Sequence, residues 1–115
     1  MGLVHIPLPI DPVRFLLDRV PDLIGRVDSF PDIPILFFSD VAQVLIQSKD
    51  EISLARATHE AISELAEMNH SRIDVVITDG FFDMLADDHA SLVIAKQCLR
   101  GRAVMLLHQV VPPNS

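Results

Sequence analysis

Four aspartates and a histidine sit close together in the second half of the chain: Asp79, Asp83, Asp87, Asp88 and His89. Carboxylates at such short spacing could hold a metal ion or border a phosphoryl-transfer site. Thr78 and Asp79 end the apolar run IDVVIT-D, so they would stand at the mouth of whatever element that run forms. The other groups capable of chemistry are dispersed. His5, His59, His70, His89 and His108 lie on different segments, and none pairs with another or with Cys98 at a zinc-ligand spacing. They read as ordinary surface or core histidines, and no metal or cofactor is expected. Cys98 lies in an apolar helical run and reads as a small buried hydrophobe rather than a reactive thiol. No nucleophile elbow, phosphate-binding glycine loop or His-Glu metalloprotease motif occurs, and the chain has only 4 glycines. These residues assign no catalytic group.

The chain that must position them has 115 residues, 50% of them hydrophobic, which suits one domain with one core. Residues 1–31 read as an N-terminal arm and helix belonging to the same domain as residues 32–115. The balance of 16 acidic to 9 basic side chains gives a formal charge of -7. That sign repels phosphate backbones and anionic lipid headgroups, so nucleic acid and membrane surfaces are poor partners. Charged residues and prolines interrupt every apolar stretch well short of a bilayer span. Met1 to Ile10 lacks the marks of a secretory leader. A single cysteine cannot form a disulfide within the chain. The expected location is cytoplasmic.

Val4 to Ile10, with Pro7 and Pro9, reads as an edge strand or arm. Asp11 and Pro12 open a helix whose apolar face is Val13, Leu16, Leu17 and Val20, and Pro21 ends or kinks it. Ile33 to Phe38 and Ala42 to Gln47 read as two strands of a hairpin turning at Ser39 and Asp40. Leu54 to Met68 has helical spacing, with Ser53 placed to cap it. Ile73 to Thr78, short and β-branched, suits a strand buried on both faces. A helix capped by Asp87 or Asp88 runs to Leu99, Gly101 stops it, and Ala103 to Val111 reads as a last strand. The predicted fold class is therefore α/β, a mixed sheet with helices packed mainly on one face.

On this order of elements, Ile33 to Pro113 resembles a STAS domain, the fold of anti-sigma-factor antagonists and stressosome scaffolds. IPILFFSDVAQVLIQ is similar to that group's first hairpin, SKDEISLARATHEAISELAEM to its turn and first helix, RIDVVITDGFFDML to its central strand and switch loop, and RGRAVMLLHQVVPP to its next strand. The resemblance implies a non-catalytic protein-protein interaction module of a signalling assembly. Its partner would be a kinase, an anti-sigma-factor-like regulator or a second copy of the chain. The implied switch region comprises Thr78, Asp79, Asp83, Asp87, Asp88 and His89. The family's strand-end aspartate falls on Thr78, its helix-start aspartate on Ala86 and its phospho-acceptor serine on Asp87, so this sequence departs from the pattern at all three. A phosphoserine carries roughly -1.5 to -2 charges. Asp87 would imitate part of that charge permanently, or serve simply as a helix cap.

The family usually continues with a further helix where this chain ends. LPIDPVRFLLDRVPDLIGRV has the character of that segment, which implies permutation, a swap between subunits, or merely an extra docked helix. An uncovered sheet face would favour a homo-oligomer. The alternative function is a receiver-like phospho-acceptor domain, with Asp79 after the central strand, or a small acidic-site enzyme. An enzyme would gather several of Asp79, Asp83, Asp87, His89 and His108 around one cavity. In a strand, the pairs Phe37-Phe38 and Phe81-Phe82 would each bury one ring and expose the other.

Overall fold

The computed structural model describes residues 10–27 and 32–112. Among these the fold is all-helical, and no strand is present. The mixed sheet, its hairpin and both later strands are corrected to helices.

Helix α1, Pro12–Arg19, begins as its sequence dictates. Asp11 Oδ1 accepts from the Val13 and Arg14 amides at 3.0 and 3.3 Å, with Pro12 at the first helical position. Val13 and Leu16 are buried against α3, and a short 3-10 turn, Pro21–Leu23, adds buried Leu23 to the same core. The segment Val4 to Pro9 lies outside the described residues.

Helix α2, Pro34–Gln47, replaces the expected hairpin. Its buried residues are Phe37, Phe38, Val41, Ala42, Val44 and Leu45. At roughly 100° per residue these six cover an arc of about 160°, one continuous face of a helix. Ser39 and Asp40, read as a turn, fall outside that arc. Both rings of each phenylalanine pair are buried: Phe37 at 3%, and Phe38, Phe81 and Phe82 at 0% exposure. The expected one-in, one-out arrangement is therefore also corrected.

Helix α3 spans Ile52–Ala66, starting earlier and ending earlier than the spacing suggested, and Ser53 does not cap it. Nine of its residues are buried, including Thr58, His59 and Ser63. The two hydroxyls avoid an unmet hydrogen bond by returning to the helix: Thr58 Oγ1 donates to the Leu54 carbonyl at 2.8 Å and Ser63 Oγ to the His59 carbonyl at 2.9 Å. Ser63 Oγ also accepts from the Arg100 amide at 3.1 Å.

Residues 71–85 form one rod: α4, Ser71–Val75, a π-helical stretch, Val76–Phe82, and α5, Asp83–Leu85. This is where the central strand was expected. Ile73, Val76, Ile77, Gly80, Phe81 and Leu85 recur at helical spacing and are buried. Asp74, inside the apolar run, takes a two-pronged ion pair from Arg102 at 2.5 and 2.6 Å, both side chains about one-fifth exposed. Arg102 also donates to the Ala66 carbonyl at 3.0 Å. Helices α6, His89–Cys98, and α7, Arg102–Val110, complete the fold, with Gly101 between them at φ 61°.

Helix α2 lies along the π-helical stretch, while α3 packs on α1, α6 and α7. The core is shared by all of them, with Phe38, Phe81, Phe82, Leu16, Ile62, Leu65 and Leu106 among its fully buried side chains. Burial of such residues contributes about 1.5–3 kcal/mol each. The conformational entropy of the chain opposes it on the same scale.

Candidate functional site

The helical rod keeps Thr78, Asp79 and Asp83 on one element, with Thr78 Oγ1 3.4 Å from Asp79 Oδ1, and leaves Asp87, Asp88 and His89 beyond it. Thr78 is half-buried and donates to the Asp74 carbonyl at 2.9 Å, an ordinary bond to its own helix. Asp79 and Asp83 are exposed. Asp87 is exposed in the turn after α5, its amide donating to the Met84 carbonyl at 3.2 Å. The cap of α6 is Asp88 and not Asp87: Asp88 Oδ2 accepts from the Ser91 amide at 3.0 Å and its hydroxyl at 2.7 Å. Lys49 Nζ reaches both Asp88 oxygens at 3.1 and 3.2 Å. The Ser91 hydroxyl, then Lys49, hold this carboxyl below its usual range. His89 is the first residue of α6 and is exposed.

None of Asp79, Asp83, Asp87, His89 and His108 lines the cavities of about 360, 280 and 220 Å³. No group of three metal-ligating side chains converges among the described residues. No helix among them is long and apolar enough to cross a membrane.

One histidine does stand out, although its spacing to the other histidines marks it no differently from them. His59 is 1% exposed, with its ring edge-on to Phe81 at 5.7 Å between centroids. Its Nδ1 has no hydrogen-bond partner among the described residues. Burial pulls its pKa from 6.5 down to about 4, so the imidazole is neutral near pH 7. Sealed in the core, it cannot meet a substrate. The cue was available: His59 shares a helical face with the apolar residues Ala55, Ile62 and Ala66 of α3.

A groove of about 360 Å³ lies between the start of α2 and α4. Ile33, Pro34 and Ile35 form one wall; Ser71, Arg72, Val75 and Val76 form the other. Ile33 is 45% exposed, Ile35 39% and Val75 42%, with Leu36 nearby in sequence at 48%. The π-helical stretch sets how closely the walls approach. Gly80 has no side chain, and a Cβ there would stand 2.9 Å from the Ile35 carbonyl oxygen and 3.2 Å from Phe38 Cβ. Ser39 Oγ donates to the Gly80 carbonyl at 3.0 Å, tying α2 to the same turn. π-Helical turns often mark functional places in a fold. Here the turn seats the α2 wall of the groove.

No family model matches the chain, and neither the curated proteins nor the solved structures give a match.

Proposed function

We propose that this chain is a non-catalytic protein-interaction domain that receives an apolar segment of a partner protein in the groove between α2 and α4. The observation that carries the reading is the exposure of Ile33, Ile35 and Val75 along an apolar cleft. Scattered exposed hydrophobes need no explanation, but a group lining one groove favours docking of an apolar anchor. A helical partner would present such anchors at one face, the helix-in-groove mode. The chain's formal charge of -7 favours a partner with basic residues flanking its apolar stripe. Self-association, expected earlier from an uncovered sheet, loses that basis, since the described residues contain no sheet.

The test is affinity capture from the native extract by wild type, Ile35→Asp and Val75→Asp, followed by titration of the captured partner's isolated segment. Both positions are partly exposed, so the variants should keep the helical spectrum of wild type. The expected result is at least a tenfold loss of affinity in each, about 1.4 kcal/mol. Equal binding by all three folded proteins refutes the groove as the docking site. A dimer of the chain alone that Ile35→Asp abolishes would give the groove to a second copy instead.

A further inference from the structure

Carboxylates outnumber cations in this chain by 16 to 9, so an arginine has no shortage of partners. Arg19 pairs with Glu64, Arg26 with Glu51, Lys49 with Asp88 and Arg102 with Asp74. Arg56 and Arg100 are exposed and make no side-chain ion pair or hydrogen bond among the described residues. Both line one cleft of about 280 Å³ between α3 and the end of α6. Its apolar walls are Ile52, 48% exposed, and Ile94, partly buried against the core. Gln97 and Cys98 line it from α6, and Glu60 is its one carboxylate.

From this geometry we infer that the cleft binds a small organic anion, a carboxylate or phosphate monoester carried on a short apolar chain. Two cationic side chains lining one cleft favour an anion there. Guanidinium forks match carboxylate and phosphate oxygens better than any other side chain does. Ile52 and Ile94 offer the chain an apolar surface, while Gln97 can donate a further hydrogen bond. Glu60, one turn from Arg56 on α3, opposes the anion and so limits affinity. The inference stands apart from the α2–α4 groove, since the two sites share no residue.

The experiment is calorimetric titration at low salt with hexanoate and with hexyl phosphate, with hexanol and inorganic phosphate as controls. In parallel, the rate of iodoacetamide modification of Cys98, the chain's single cysteine, reports occupancy of this cleft. At least one of the two amphiphilic anions should bind about tenfold more tightly than both controls and slow the modification of Cys98. The tighter of the two identifies the headgroup as carboxylate or phosphate. Arg56→Gln and Arg100→Gln should each weaken that binding about tenfold, and Glu60→Gln should tighten it. Because the three residues are exposed, all three variants should fold, and the opposite sign at Glu60 separates an electrostatic site from general damage. Equal binding of hexanol, unchanged affinity in both arginine variants, or unprotected Cys98 overturns the inference.

Discussion

His59 makes the stability of this fold depend on pH from about 6.5 downward, and above about pH 5 ordinary carboxylates scarcely titrate. The buried imidazole has a pKa of about 4, and unfolding returns it to its ordinary value near 6.5. A base with a depressed folded pKa gains its proton first in the unfolded state. Stability is therefore full above about pH 6.5, falls as the pH drops toward about 4, and levels off below that. The whole window corresponds to about 3 kcal/mol, and the step from pH 7 to pH 5 to about 2 kcal/mol. Ordinary carboxylates, with pKa values near 4, contribute little above pH 5.

The assay is urea unfolding of wild type and His59→Leu at pH 7, 6 and 5, with the slope checked for constancy. Leucine removes both the titrating base and the buried nitrogen that lacks a partner, whose burial costs about 1–3 kcal/mol. The variant should be at least as stable as wild type at pH 7 and nearly flat down to pH 5. A wild type that is equally stable at pH 7 and 5, or a His59→Leu protein that loses the same 2 kcal/mol or so, refutes the reasoning.

Three further outcomes follow from particular contacts. Gly80→Ala should destabilise the protein by about 1–3 kcal/mol in denaturant titrations, because the new Cβ meets the Ile35 carbonyl and Phe38 and must push α2 away. Arg102→Ala should lose about 1–3 kcal/mol, since it strands half-buried Asp74 and frees the Ala66 carbonyl, whereas Arg19→Ala, at a pair about half exposed, should lose no more than about 1 kcal/mol. In thermal melts at pH 7, Asp88→Ala should lower the midpoint while Asp87→Ala leaves it unchanged; below the unfolded carboxylate pKa the Asp88 difference should shrink, because its advantage is lost as the pH falls through the lowered folded value. An equal effect of the two aspartate variants would count against Asp88 as the cap.

The sequence carried its helix starts openly where the signal is local. Asp11-Pro12 sets α1, and the dispersed apolar positions from Leu54 onward set most of α3. Gly101 marks the break before α7. These depend on side chains bonding backbone within a few residues, or on a stripe with polar gaps, and need no distant partner.

The apolar runs were different. Ile33–Gln47, Ile73–Thr78 and Ala103–Val111 are dense enough in hydrophobes to fit two periods at once, and β-branching in the middle run tipped the reading toward strands. Only packing decides such cases. Ser39 and Asp40 could end a strand or continue a helix beside its apolar arc; burial of Phe37, Phe38, Val41 and Ala42 on one arc makes them the latter, with Ser39 half-buried and bonded to the Gly80 carbonyl. Asp74 looks costly inside a helix core until Arg102, distant in sequence, reaches it. The aspartates after Ile77 drew attention as a site because they are close in sequence. The tertiary structure instead spreads them over a rod, a turn and a cap, and brings together residues that sequence keeps apart: Ile35 with Val75, Arg56 with Arg100, His59 with Phe81. Local order comes from short-range backbone chemistry, but a surface cleft or a buried base exists only where separate helices meet, and which helices meet is settled by how their apolar arcs share one core.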